Sequence, residues 1–545
     1  MYEAHAKAFE TRIWLLAQEG KMRAQRRMGV FLWVGSLIIA SSCVARAQMI
    51  DNTQALNPIN AGINKSLSQE IGASRGDINT PGSSLYIIKR DPFRSIRRGR
   101  QLFQRKFTRV QGQGPGVDDG VGNIATTIAI GAGVVDSCAG CHARPRGSAG
   151  FGGDVVTRPD SRNTPHLFGL GLKEMLADEM TSDLRTIRSQ AITSAKQKGR
   201  SVTLALVTKG ISFGSITGNP DGSVSTSEIQ GVDPDLRIRP FFAQGGTISM
   251  REFIVGALNA EMGLQASLDP DLAAASSGQR VITPSGMVLD GSLDKIEAPP
   301  AGDQFNGNEI DVAIVDHLEF YLLNYFKPGI YQQDASAQHG LKVFNQIGCS
   351  SCHVQNLTIN RDRRVADINT AYDPVNGIFN TLFATAVPLF STVNDGNTNP
   401  LKLPNLQPFV VQNIFTDFKR HDLGPNFHER NWDGTYQKQF LTRPLWGVGS
   451  FGSLGHDGRS ISLTEVILRH GGEAQASRDA FASLSVQDPG ATSDLLHFLS
   501  TLVLFPPDDT ASTLDPGNRS DPNFPQSGHG SIKLTVLFNN PSDKE

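Results

Sequence analysis

The chain has 545 residues, 39% of them hydrophobic and 19% charged, which is enough apolar material for a large core and excludes a disordered chain. A formal charge of −2 gives no electrostatic case for nucleic acid as a partner. Five cysteines are too few for a disulfide scaffold of this length, and 55 glycines with 29 prolines predict many loops.

The first segment reads as a secretory signal. Lys21, Arg23, Arg26 and Arg27 form a basic patch, the apolar run from Met28 to Val44 follows, and Ala45-Arg46-Ala47 offers small residues where a signal peptidase reads. Cleavage before Gln48 is expected. The competing reading is a retained anchor, since the run of about 17 residues sits at the short edge of a membrane span. Met22 and Met28 are alternative starts. Cys43 is a lipidation candidate in a poor context, with Ala40 where a leucine is usual. No later stretch approaches spanning length. The expectation is an exported protein with no membrane span after cleavage, periplasmic in a cell with an outer membrane.

The four remaining cysteines fall in two strings, Cys138-Ala-Gly-Cys141-His142 and Cys349-Ser-Ser-Cys352-His353. Each is Cys-x-x-Cys-His, the c-type haem attachment pattern. Two thiols add across two vinyl groups, and the next residue places its imidazole under the iron. A zinc site or a thioredoxin-like pair would leave the histidine after each second cysteine unexplained. Two covalently bound haem c groups are therefore expected. Export fits, because c-type attachment takes place outside the cytoplasm.

Around each motif the chain repeats one plan. In the first half, Ser95–Phe107 predicts an early helix, a Gly-rich loop over 111–135 precedes the motif, and Glu309–Phe326 predicts a closing helix. In the second half the corresponding helices are Gln338–Gln346 and Ser493–Leu504, the latter stopped by Pro506-Pro507. Pro165–Gly171 matches Pro444–Gly449, and Ile248–Ile254 matches Ile461–Ile467. The expected fold is mainly α, with two c-type cytochrome domains in tandem and long loop insertions. The expected division is a signal peptide over 1–47, an N-terminal domain over 48–328 with an insertion about 172–240, a C-terminal domain over 329–510 with an insertion about 360–435, and a tail over 511–545 whose composition predicts mobility.

The repeat also sorts the two irons. His470 ends a predicted helix over Ser462–His470 and can reach the second iron as a sixth ligand; the alternative is a helix-end histidine held by the C-terminal dipole. The corresponding position in the first half is Ala257, which cannot ligate, so the first haem is the candidate open site. Four residues on, Glu261 can exchange a proton with a bound substrate, or it is an exposed helix-end carboxylate. Met262 is core or a ligand. His166 is a displaceable ligand or a loop residue, and His456 sits at a turn where it can orient a loop. His317, His339, His421, His428, His497 and His529 have no supporting context.

Taken together, Cys138–His142, Arg162–Gly171, Asp235–Pro240, Arg251–Gln265, Cys349–His353, Thr442–Gly449, His456-Asp-Gly458 and His470-Gly-Gly-Glu473 resemble the di-haem c-type oxidoreductases classed as peroxidases or thiol oxidoreductases, relatives of the bacterial di-haem cytochrome c peroxidases. The resemblance implies that the second haem accepts electrons from a small donor protein, a cytochrome c or cupredoxin, and that the first cleaves hydrogen peroxide or a similar small substrate. It implies His470 where the peroxidases carry a methionine ligand, and Glu261 as their distal acid/base. It also implies a calcium ion between the haems, without assigning its ligands. The chain departs from the peroxidases in having Phe242 near the place of their inter-haem tryptophan and Phe253 in place of a distal glutamine. Rival readings are an electron-transfer protein without catalysis and an oxidase of an organic or protein substrate, as in the related quinone-cofactor maturation enzyme, which has tyrosine where this chain has His470.

Overall fold

The computed structural model describes residues 66–108, 111, 135–142, 153–154, 162–300, 310–324, 328–331, 333–372, 382–431, 433–450 and 453–504. All of them belong to one compact unit, Asp51–Glu545. The expected signal peptide, Cys43, most of the Gly-rich loop, His529 and the expected tail lie outside the described residues. Among the described residues no helix is long and apolar enough to cross a membrane.

The helices, in chain order, are α1 (Leu67–Ile71), α2 (Ser84–Arg90), α3 (Pro92–Gln104), α4 (Cys138–Cys141), α5 (Leu170–Lys198), α6 (Met250–Met262), α7 (Pro270–Ser276), α8 (Val312–Leu323), α9 (Ala335–Gln346), α10 (Leu463–Arg469), α11 (Gln475–Gln487) and α12 (Ala491–Ser500). The long apolar patterns therefore fold as read: α3, α8, α9, α10 and α12 each lie within a few residues of the predicted spans. Two pairs cross closely, α3 on α8 and α9 on α12. Each crossing turns on a glycine. A Cβ on Gly99 would come within 2.2 Å of the His317 carbonyl oxygen, and one on Gly340 within 2.0 Å of the Asp494 carbonyl oxygen, so only hydrogen fits between the backbones. Behind the second crossing, Phe344, Phe415 and Phe498 pack edge to face with centroids 5.6–5.8 Å apart.

The expectation of a mainly α chain of two tandem c-type cytochrome domains is corrected. Among the described residues helix makes up 40% and strand 17%, and the strands form eight small antiparallel sheets. The segments read as loop insertions carry much of this structure. The first contains the 29-residue α5 and a hairpin. In that hairpin Val202–Thr208 pairs with Ile211–Gly218 across Lys209-Gly210, both at positive φ (50° and 79°), as a two-residue turn of this kind requires. The second contains pairs such as Phe390–Val393 with Leu401–Pro404 and Arg420–Asp422 with Gln439–Leu441. These hairpins bind the halves together instead of hanging from them. The Glu179 carboxylate on α5 accepts the backbone N–H of Asn360 and Arg361, Arg363 pairs with Asp178, and Arg90 pairs with Asp395.

One buried ion network fixes α6, the helix that carries Glu261. The Arg251 guanidinium is fully buried and donates to Asp269 (3.0 Å), Glu319 (2.9 Å) and Asp316 (2.9 Å). The last two project from α8, so α6 is locked to α8 in one register. Four carboxylates, Asp269, Asp271, Asp316 and Glu319, stand around the guanidiniums of Arg251 and Arg75 and leave excess negative charge in a largely dry site. Burial, partly offset by Arg251, pushes the Glu319 carboxyl up to about 7.

Arg251→Met should cost about 3–5 kcal/mol, because it strands several buried carboxylates; urea unfolding measures it, and a loss below about 1 kcal/mol would show that the network does not hold α6. Between the ordinary glutamate value of 4.5 and about 7, the folded chain holds a proton on Glu319 that the unfolded chain has released. Stability contributed by this group is therefore lost as pH rises through that window, and Glu319→Gln should flatten the pH dependence of the urea midpoint there.

Candidate cofactor site

Both cysteine motifs are single turns of tight helix. In the first, the His142 backbone N–H donates to the Cys138 carbonyl at 3.0 Å; in the second, the His353 N–H donates to the Cys349 carbonyl at 3.0 Å. Residues i, i+3 and i+4 of such a turn share one face, so each motif brings two thiols and an imidazole together. The two faces line one cavity of about 700 Å³. His166, Lys173, Glu261, Arg443, Trp446 and His470 line it too. The four cysteines form no disulfide. Burial pushes the thiols of Cys138 and Cys349 up to about 12 and 11, so without a bonded group they are neutral thiols and poor zinc or redox ligands.

The imidazoles decide what the cavity can hold. His142 Nδ1 lies 2.8 Å from the Pro165 carbonyl oxygen, His353 Nδ1 lies 2.9 Å from that of Phe415, and His470 Nδ1 lies 2.7 Å from that of Val466. A carbonyl only accepts, so in each case Nδ1 carries the hydrogen and Nε2 keeps the lone pair of the neutral ring. Burial pushes His142 and His353 down to about 4 and lowers His470, so all three are neutral at pH 7. His470 is also one of the charges that hold His353 down, which puts these two rings within electrostatic reach. Phe103 at the end of α3 packs on the His142 ring at 6.3 Å, and Phe344 at the end of α9 packs on that of His353 at 6.1 Å. The same aromatic buttress thus serves both motifs. Neutral imidazole with an anchored Nδ1–H is the form that ligates a metal through Nε2.

The other histidines are engaged differently. His166 accepts the Phe168 N–H at Nδ1 (3.2 Å), and its Nε2 lies 3.2 Å from the Trp446 carbonyl oxygen, so both ring nitrogens are used. His317 is buried with Nδ1 on Ser95. His339, His428 and His497 face carboxylates. His456 stacks on Phe440 at 4.1 Å and stands 3.2 Å from Glu429. His421 has a carboxylate on each ring nitrogen, Glu473 at 2.7 Å and Asp417 at 2.9 Å. Burial opposes its charge, but Asp417 and Cys352 raise it to about 11, so it is an imidazolium beside the second motif.

Beside the first motif, Phe253, Ala257 and Glu261 stand four apart on α6, one stripe of the helix, and all three line the cavity. Glu261 is half-buried. Met262 is buried, with its sulfur 4.0 Å from that of Cys138. Phe242 lies in the wall at a positive φ of 59°, against Phe253 at 5.3 Å. Two cavity residues were not found by sequence reasoning. His421 gave no local signal because its partners lie up to 52 positions away. Trp446 sits inside the repeated Pro444–Gly449 piece, which was the signal that marked it.

The residues fit two haems as an attached group: two Cys-x-x-Cys-His turns, ligand-ready Nε2 atoms and a largely apolar wall. Among the described residues the one group of three clustered donors is Cys352, Asp417 and His421, and thiol and imidazole do not suit a cation that takes oxygen ligands.

No curated protein and no solved structure matches the chain. A family model described as "Di-haem oxidoreductase, putative peroxidase" matches residues 363–502, a stretch that begins after the second cysteine motif and contains His421, Trp446, His456 and His470. The family that the motifs resemble is thus the family that matches, the di-haem oxidoreductases.

Proposed function

We propose that this chain is an exported, periplasmic c-type oxidoreductase that carries two covalently attached haems and reduces hydrogen peroxide with electrons entering at the second motif from a small donor protein. The observation that carries the proposal is that both Cys-x-x-Cys-His turns, each with its imidazole Nδ1 tied to a backbone carbonyl, open onto one cavity. A matched pair of attachment turns on separate surfaces would suit two independent carriers; a shared cavity suits transfer from one group to the other.

The haems, when bound, supply the one-electron steps and the binding of peroxide. The chain's own residues set the conditions. His142 and His353 would hold the irons through Nε2, and burial keeps both rings unprotonated. His470 would offer a second imidazole to the group held by His353, which favours the second motif as the electron-accepting side. At the first motif, α6 presents Ala257 where α10 ends in His470, and small Ala257 leaves room for a substrate beside Glu261. Reduction of one peroxide consumes two electrons and two protons and gives two waters. The Glu261 carboxylate is the group placed to move a proton from one peroxide oxygen to the other as the O–O bond breaks. Phe241, Phe242 and Phe253 pack on one another in the apolar part of the same cavity wall.

Steady-state peroxide turnover with a reduced small cytochrome tests this. The wild-type chain should turn over, and Glu261→Gln should lower the rate by about 10²–10⁴-fold with the haem absorbance unchanged. Near-wild-type turnover in the variant would remove Glu261 from the reaction. No turnover in the wild type, with both irons six-coordinate in every redox state, would leave an electron carrier.

A further inference from the structure

Among the described residues, two cations in the cavity wall have no anion. Lys173 stands in the first turn of α5 and Arg443 three residues before Trp446; both line the cavity shared by the two cysteine motifs. The segments that carry them touch, since the His166 ring meets the Trp446 carbonyl at 3.2 Å. Lys173 Nζ lies over the Phe241 ring at 5.5 Å, and neither side chain has a hydrogen-bond or ion-pair partner among the described residues. Most other buried cations of the chain are paired: Arg162 with Glu429, Arg237 with Asp178, Arg251 with three carboxylates, Arg364 with Asp362. Arg443 is exposed and lines the cavity, and its surroundings, with Arg162 near, pull it down to about 10. Burial, together with Arg443, pulls Lys173 down to about 7, and the same two cations help hold His166 down to about 3. Two basic side chains with no described acidic partner thus stand in one largely apolar wall. An anion arriving with the cavity's occupant would pair with them.

We propose that Lys173 and Arg443 form a carboxylate clamp in the wall between the two cysteine motifs, and that its occupant is a propionate carboxylate of an attached porphyrin. This rests on the two-haem reading above. Arg443 supplies a planar fork that can take both carboxylate oxygens, and Lys173 adds a point charge from α5. The clamp makes the cavity cationic where calcium was expected, so the counter-charge to the porphyrin's acid groups comes from side chains. A free carboxylate substrate has the same chemistry and is the other possible source.

The test uses the exported holoprotein, its Lys173→Gln and Arg443→Gln variants, and the charge-keeping Lys173→Arg. Three quantities are read: haem content by the pyridine haemochrome, the two midpoint potentials by spectroelectrochemical titration, and the effect of acetate and benzoate on the Soret band. The expected result is two haems per chain throughout, with one midpoint potential falling in each glutamine variant, because a lost cation disfavours the added electron; Lys173→Arg stays with the parent. Unchanged potentials in both glutamine variants overturn the clamp. A Soret response to carboxylates in the parent, weakened about tenfold or more in the variants while potentials hold, assigns the site to a free carboxylate and overturns the porphyrin occupant. Fewer than two haems in the parent overturns the two-haem reading instead.

Discussion

A hydrogen bond from an imidazole Nδ1 to a backbone carbonyl is the constraint on which the site depends. It occurs at His142, His353 and His470. The acceptor is part of the chain's own backbone, so it cannot change its protonation or rotate away. It fixes which ring nitrogen carries hydrogen, and burial then keeps the ring neutral. A histidine tied to a carboxylate behaves otherwise, and His421 shows it: carboxylates stand on both ring nitrogens, and Asp417, with Cys352, raises the ring so that it carries a charge and has no lone pair to give. The difference between a ligand and a cation is thus set by the partner of one nitrogen.

Around this site the fold is a single interleaved body. The repeated plan of early helix, cysteine turn and closing helix is present twice, and each crossing is made close by one glycine. The segments between these parts do not remain loops. They fold as short hairpins and a long helix, and their charged groups tie one half to the other through Glu179, Asp178 and Asp395. The cavity follows from this interleaving, because both cysteine turns end on the same space. Arg251 adds a rigid anchor behind α6, so the stripe that carries Phe253, Ala257 and Glu261 is held from the far side by α8.

What was legible in the sequence was what local periodicity or fixed spacing encodes. The apolar patterns of α8 and α12 gave helices near their true bounds, and Ser462 and His470 proved to be the two ends of α10. The cysteine strings marked the two turns that open onto the cavity. The hairpins were not read, because strands of two to eight residues leave too few alternations to stand out; even the Lys209-Gly210 turn is a signal only once its flanks are known to pair. For that reason the expected mainly α tandem was wrong in class while its helices were right in place. The site divides the same way. Glu261 and His470 were found through the repeat, whereas the pairing of His421 with Glu473 and the unpartnered Lys173 and Arg443 depend on long-range contacts that no local pattern encodes.

The account stands on two groups being bonded to the chain through Cys138, Cys141, Cys349 and Cys352. The intact mass of the exported, denatured protein reads this without reference to activity, spin or potential. The predicted result is a mass above that of the polypeptide by two haem groups, falling by one when Cys349 and Cys352 are replaced by alanine. A mass equal to the bare polypeptide, from a host that attaches haem to other exported cytochromes, would contradict the account.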